Sequence, residues 1–278
     1  MEILTSVLAE LGEGPTWDSA TRRLLWMDIL DCRVHCLDPE SGAVESITVP
    51  QHVGAAKPRS GGGLVLNLRD GIGLRGPDGS FDWLFHDPVA GRRGNDAAVA
   101  PDGALWAGTM RYDETRGGGT LARIAPSGTA ETVLGNVAVS NGIGWSPDGR
   151  RMYYIDSSTG RIDTFDFIDG HAHNRKPWVT IESGAGWPDG LTVDAAGAIW
   201  VALWDGGAVR RYTPHGRLDR VVELPVPRTT ACAFGGAELT DLYVTTARIG
   251  SSPDNSAAGR LFVLPGVGQG LTQPAFQG

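Results

Sequence analysis

The sequence predicts an all-β fold, a six-bladed β-propeller with four-stranded antiparallel blades around a central channel. Three observations predict it: an excess of turn-forming residues, a repeat of about 46 residues, and the lack of helical periodicity. Glycine contributes 40 residues and proline 17 of 278, which is roughly a fifth of the chain against a usual share of about 12%. The apolar fraction of 41% still supplies a core, so the excess indicates frequent turns and not disorder.

The repeat is visible in the turns. Asp102, Asp148 and Asp194 each lie between two short apolar runs, and consecutive members are 46 residues apart. Asp18 and Gly236 occupy the same place near the two ends of the chain. The strand after each turn carries an aromatic residue: Trp26, Trp106, Tyr153, Trp200 and Tyr243. This pattern predicts a β-hairpin in every repeat.

Each hairpin is followed by a second pair of strands, for example residues 119–125 with 129–135, and 206–212 with 217–225. Blade two is the least typical, because its second strand, residues 64–68, carries no aromatic residue. Dividing 278 residues by the 46-residue period gives about six units. The helical stretches that a βαβ fold requires are absent. We therefore predict one propeller domain over residues 1–278, in which radial repetition leaves only short, protected edges.

The ring of blades has to be closed by the two ends of the chain. Residues 2–10 alternate in polarity and precede the first repeat. We expect them to pair as a strand in the last blade, beside residues 261–265.

Charge and cysteine content exclude several classes of partner. The net charge is −8 and no basic run is longer than two residues, which argues against nucleic acid and anionic membranes. No segment is long and apolar enough for a transmembrane helix, and no basic, apolar secretory signal is visible. Three cysteines cannot build a disulfide framework. We therefore expect a cytoplasmic protein with a small-molecule substrate, as a monomer or weak homo-oligomer.

The first strands of a propeller surround its channel, so equivalent positions form a ring at one mouth. The residue four positions before the apolar anchor of each first strand is polar in five repeats: Glu13, Asn95, Asn141, Asp189 and Thr230. Such residues also start turns, which is the alternative interpretation of each one alone. Because they coincide at one position of the repeat, we interpret them as a site.

Two carboxylates in one channel repel each other unless one is protonated or a cation lies between them. Glu13 and Asp189 supply the carboxylates, and Asn95 and Asn141 add neutral carbonyl oxygens. An oxygen-only set suits Ca²⁺, Mg²⁺ or Mn²⁺, while Zn²⁺ and Fe²⁺ also accept carboxylate oxygen. The ring therefore predicts one divalent metal ion with coordination positions left open for water or substrate.

Five segments carry a family resemblance: LGEGPTWD, RRGNDAAVAPDGALWAGTM, SNGIGWSPDGRRMYYIDS, PDGLTVDAAGAIWVALW and CAFGGAELTDLYVTTA. They resemble the motifs of the gluconolactonase, regucalcin and luciferin-regenerating-enzyme family over residues 10–265. The resemblance implies a six-bladed propeller with one divalent metal in the channel and hydrolysis of sugar lactones. It also implies metal ligands at Glu13, Asn141 and Asp189, and substrate contacts at Arg93, Asn95 and Asp113.

These roles predict a mechanism in which the metal polarises the lactone carbonyl and acidifies water, while Asp189 accepts the proton. Arg93 and Asn95 would donate hydrogen bonds to the ring hydroxyls or to the developing oxyanion. Specificity is expected from side chains near the same mouth: His52, Met110, Arg111, Trp187 and Trp204.

Two other functions stay open from the sequence. A phosphotriesterase or aryl-ester hydrolase is the alternative enzyme, since such enzymes also use an oxygen-ligated metal in a propeller channel. A non-catalytic metal-binding propeller is the alternative from another class.

Overall fold

The computed structural model describes residues 1–278 and contains 24 strands in six four-stranded antiparallel sheets. Blade one comprises β2 (Gly12–Asp18), β3 (Arg23–Asp28), β4 (Arg33–Leu37) and β5 (Val44–Thr48). Blade two comprises β6 (Val53–Pro58), β7 (Leu64–Leu68), β8 (Gly71–Arg75) and β9 (Phe81–His86). Blade three comprises β10 (Arg92–Val99), β11 (Leu105–Arg111), β12 (Gly119–Ile124) and β13 (Ala130–Val137).

The second half of the chain repeats this arrangement. Blade four comprises β14 (Ser140–Trp145), β15 (Arg151–Asp156), β16 (Arg161–Ile168) and β17 (His171–Thr180). Blade five comprises β18 (Trp187–Val193), β19 (Ile199–Trp204), β20 (Ala208–Tyr212) and β21 (Leu218–Glu223). Blade six comprises β22 (Thr229–Gly235), β23 (Asp241–Thr246), β24 (Phe262–Leu264) and β1 (Glu2–Ile3). One 3₁₀ turn, Ser157–Thr159, follows β15, and no helix has the length and apolar character needed to cross a membrane.

The six blades close into a ring, as predicted. The first strands β2, β6, β10, β14, β18 and β22 pack side by side in that order, and β22 packs against β2. The repeated aromatic residue of the second strand is buried in all five blades that carry it. At the junction of blades one and six, Trp17 stacks on Tyr243 with ring centroids 6.1 Å apart. The aromatic residues that recur about every 46 positions therefore belong to the core.

A β-bulge interrupts the first strand of every blade. The pairing register with the second strand shifts near the start of β2, β6, β10, β14, β18 and β22. Bulges re-aim side chains and bend the strand. The polar ring residues predicted from the sequence lie at these bulges, and blade two contributes Gly54 at the same place.

Chain closure uses less of the N-terminal segment than predicted. Only Glu2 and Ile3 pair as a strand, opposite Val263 and Phe262 of β24. The partner strand agrees with the prediction, but residues 4–10 form no continuous strand. Closure is reinforced where the hydroxyl of Thr230 donates to the carbonyl of Gly12 at 2.6 Å.

The last residues cross the far end of the channel, and we call residues 266–278 the C-terminal strap. Gly270 donates its amide to the carbonyl of Leu239 in blade six (2.7 Å), and Phe276 donates to Pro58 in blade two (2.9 Å). Between these anchors, residues 271–274 line a cavity at that end of the channel. The Phe276 side chain is fully buried among residues of blades two and three. The strap therefore joins blade six to blades two and three.

Candidate active site

The channel holds a cavity of about 640 Å³ at the end where the first strands begin. Five predicted site residues line it together, Glu13, Arg93, Asn95, Asn141 and Asp189, and each is buried. They come from the first strands of blades one, three, four and five. Four chain segments more than 40 residues apart are thus brought to one point by the propeller.

A chain of hydrogen bonds orders these side chains. Arg93 Nη1 donates to Oδ1 of Asn95 at 2.6 Å, and Nδ2 of Asn95 donates to Oδ1 of Asn141 at 2.8 Å. Nδ2 of Asn141 donates to the Ser157 hydroxyl at 2.8 Å, which donates to the carbonyl of Pro188 at 2.7 Å. Asn95 and Asn141 are 46 residues apart, so this hydrogen bond joins equivalent positions of two successive repeats. The chain orients the amide of Asn141 and leaves its Oδ1 one lone pair for another partner.

The two carboxyl groups of the cavity resist ionisation. Burial, with the charge of Asp96 second, raises the pKa of Glu13 to about 8. Burial, with the charges of Glu13 and Asp96, raises the pKa of Asp189 well above its usual range, and Arg93 offsets only part of this. Desolvation and like charge both disfavour the anions, so a cation between the two groups would favour their ionised forms.

The residues fit a divalent cation. Oδ1 of Asp189 is buried without any hydrogen-bond partner, which is an exception among buried polar atoms and calls for one. Oε2 of Glu13 accepts a hydrogen bond from the amide of Gly14 at 3.1 Å. The structure contains no group of three or more His, Cys, Asp or Glu side chains arranged for a metal. Oδ1 of Asn141 is a further oxygen that lines this cavity, and it accepts one hydrogen bond, from Asn95, and keeps one lone pair. Carboxylate and amide oxygens are the ligands of hard cations.

The structure does not bring Asp113 into the cavity. Its carboxylate is exposed and paired with Arg111, with 3.0 Å between Nε and Oδ1, and this contact lowers the pKa of Asp113 to about 2. Glu114 and Tyr112 line the cavity in its place. Glu114 has a positive φ of 56°, so the chain has left the extended conformation of β11 here. Glu114, and not Asp113, is therefore the acidic side chain of this turn that lies at the cavity.

The side chains expected near the mouth divide in the same way. Met110, Trp187 and Trp204 line the cavity, whereas Arg111 and His52 do not. Nδ1 of His52 lies 2.7 Å from the hydroxyl of Tyr112, which itself lines the cavity. The Arg93 guanidinium lies 6.0 Å from the centre of the same tyrosine ring, which is the outer range of a cation–π contact.

Two further charged residues, Lys57 and Asp96, lie on the strap side of the polar ring, and the sequence did not predict them. Lys57 and Asp96 line a cavity of about 580 Å³ on the strap side of the channel. Nζ of Lys57 donates to the Thr16 hydroxyl at 2.7 Å, and burial lowers the pKa of this lysine. The charge of Asp96 raises the pKa of Glu13, and the charge of Lys57 lowers it. Asp96 directly follows a ring residue, but adjacent residues of a strand point to opposite sides, and its side chain lines the other cavity.

Comparison with known proteins agrees with this geometry. The family model described as the SMP-30/Gluconolactonase/LRE-like region matches residues 11–248. The chain belongs to this family. The resemblance and the six-bladed fold predicted from the sequence are therefore confirmed.

Similar proteins cover nearly the whole chain. A 6-deoxy-6-sulfogluconolactonase from Pseudomonas putida is 35% identical over 277 residues, covering 96% of this chain and 95% of that protein. A pentonolactonase from Haloferax volcanii is 35% identical over 249 residues, covering 89% and 84%. The crystal structure of regucalcin, a calcium-binding protein from Agrobacterium tumefaciens, has a TM-score of 0.95 at 30% identity, covering 99% and 96%.

Proposed function

We propose that the protein is a metal-dependent lactonase that opens a small sugar lactone in the 640 Å³ cavity. The observation that carries the proposal is the unpartnered, buried Oδ1 of Asp189 beside Glu13. A buried carboxylate without a partner is costly unless a ligand completes it. Two family members are named as lactonases of sugar acids, which supports this substrate class.

Glu13, Asn141 and Asp189 would hold the cation. When bound there, a divalent cation polarises the lactone carbonyl and makes water more acidic. The relative described as calcium-binding supports Ca²⁺, and the oxygen-only ligand set also admits Mg²⁺, Mn²⁺, Zn²⁺ and Fe²⁺.

Each remaining residue has a role that follows from its bonds. Nη1 of Arg93 makes both hydrogen bonds of this side chain within the protein, to Gly94 and Asn95. The other N–H groups of the guanidinium are left to donate to the lactone oxygens, where charge-assisted bonds are strongest. The carboxylate of Asp189 would accept a proton from the attacking water. The water oxygen bonds to the carbonyl carbon, the ring C–O bond breaks, and the ring oxygen takes a proton to give the hydroxy acid.

Acid release measured at constant pH tests the proposal. D-Glucono-1,5-lactone, an aryl lactone and a phosphotriester are compared as substrates, each with chelator and with single metals restored. The proposal predicts hydrolysis of the sugar lactone above the spontaneous rate. Preferential hydrolysis of the phosphotriester or the aryl lactone would instead support the alternative enzyme. Metal binding without hydrolysis of any substrate would support a non-catalytic role.

A pair of variants locates the chemistry. Asp189→Asn keeps an oxygen ligand and removes the base, so we expect kcat to fall by about 10² or more. The control is Asp78→Asn, an exposed turn residue of blade two bonded to Ser80. If Asp189→Asn keeps a rate near that of the wild type, Asp189 is not the base.

A further inference from the structure

Trp187 differs from the other eight tryptophans of the chain. It is the most exposed of the nine, at 52%, and it lines the site cavity. Five of the others are buried in the core. A large aromatic surface left in water inside a ligand-sized cavity indicates that a ligand covers it.

The backbone holds Trp187 in a fixed position. It is the first residue of β18 and pairs with Trp204 at the end of β19. Gly186, just before it, has a φ of 97°, and a Cβ there would lie 2.6 Å from Cα of Gly206 and 2.7 Å from the carbonyl oxygen of Trp204. Only glycine allows this close approach, so the residues before Trp187 lie directly on the neighbouring hairpin.

The free face of Trp187 is not used by the protein. Trp204 is covered by Arg228, whose guanidinium lies 4.7 Å from the indole centre. Arg228 is held in turn by Asp205 at 3.0 Å. Trp187 takes part in no aromatic pair and no cation–π contact within the chain. One wall of the cavity therefore carries an uncovered indole on a fixed stretch of backbone.

The distance from the reacting centre defines which part of a substrate this indole meets. Trp187 is two residues before Asp189 on the same strand, and both side chains line the cavity. Two residues of strand span at most about 6.6 Å, and the bulge that contains Asp189 shortens this distance further. A six-membered lactone ring whose carbonyl lies at Asp189 therefore reaches Trp187 with the ring carbons farthest from that carbonyl, away from the bonds that change.

We propose that Trp187 is a stacking platform for the carbon–hydrogen face of a six-membered polyol lactone. This inference rests on the proposed function and names its substrate class. Because Trp187 touches no reacting atom, it affects substrate binding and leaves the chemical step unchanged. Aromatic contacts of this kind change affinity by about 2- to 10-fold.

Kinetics with D-glucono-1,5-lactone test the platform. Trp187→Ala should raise KM by about 2- to 10-fold with kcat within twofold of the wild type, and Trp187→Tyr should recover most of the loss. Trp83→Ala is the matched control, because Trp83 is also partly exposed, at 36%, but lies on the outer strand β9. Circular dichroism establishes that each variant is folded.

A binding measurement separates this inference from the proposed function. 1,5-Anhydro-D-glucitol keeps the six-membered polyol ring but has no carbonyl to hydrolyse. It should quench the tryptophan fluorescence of the wild type and of Trp83→Ala, and not that of Trp187→Ala. If the wild type hydrolyses no lactone, the proposed function fails while the quench still tests the platform. An unchanged KM in a folded, active Trp187→Ala, or a quench that persists in it, overturns the platform.

Discussion

Gly54 is the ring position of blade two, and replacing it by alanine tests the geometry of the site. A Cβ at Gly54 would lie 2.3 Å from the carbonyl oxygen of Asn95 and 2.7 Å from its Cα. Ordinary contact begins at 3.4 Å, so β10 has to move by about 1 Å, and backbone atoms cannot rotate aside as a side chain would. The displaced residue holds the 2.8 Å bond to Asn141, which such a shift breaks.

Two magnitudes follow for Gly54→Ala. Overpacking of this kind lowers the free energy of unfolding by about 1–3 kcal/mol, which corresponds to a fall in Tm of about 2–12 °C. A displacement of about 1 Å at a catalytic group lowers kcat/KM by up to about 10²-fold. Thermal unfolding and lactone hydrolysis at constant pH measure the two effects.

Gly61→Ala is the control, because a Cβ at Gly61 meets no atom within 4 Å and its φ is not positive. It should leave Tm and rate unchanged. Wild-type Tm and wild-type rate in Gly54→Ala would refute the close approach of β6 and β10 on which the site geometry depends.

Three further perturbations have defined outcomes. Glu13 has a folded pKa of about 8 against an ordinary value of 4.5, so the stability it contributes is present below pH 4.5 and is lost as pH rises through 8. Tm of the metal-free protein should therefore fall between pH 5 and 8.5. Added Ca²⁺ should raise Tm more at pH 8.5 than at pH 6, and equal shifts at the two pH values would contradict a cation site at Glu13. Phe276→Ala should lower the free energy of unfolding by about 3–5 kcal/mol in urea titrations, whereas the exposed Gln273→Ala should not; equal stabilities would show that the strap does not hold the ring. Glu114→Gln should raise KM for the lactone while Asp113→Asn leaves it unchanged, and the reverse result would restore the contact predicted from the sequence.

The ring of site residues could be predicted from the sequence because equivalent positions of successive repeats lie next to each other around the channel. Asn95 and Asn141 occupy one position of successive repeats, and the structure joins them by a hydrogen bond. The ring position of blade two was not predicted, because Gly54 has no side chain to mark it. The absence of a Cβ at Gly54 is what allows the close approach of β10.

Spacing could not place residues outside regular strands. β11 ends at Arg111, so Asp113 and Glu114 lie in the turn that follows it. The spacing of the motif does not fix which of the two faces the cavity, and the structure has Glu114 there. Lys57 and Asp96 were missed for a related reason. Asn95 and Asp96 are adjacent in β10 and line different cavities, so the repeat that locates the ring residues marks Asn95 and not Asp96.

The central claim is that one divalent cation, held by Glu13, Asn141 and Asp189, supports lactone hydrolysis in this cavity. The most direct measurement is the initial rate on D-glucono-1,5-lactone as Ca²⁺, Mg²⁺, Mn²⁺ or Zn²⁺ is titrated into chelator-treated protein. We expect a rate near the spontaneous one without metal, and a rise that saturates at one ion per chain for at least one metal. Full activity in the chelator-treated protein, or no activity with any metal bound, would contradict the claim.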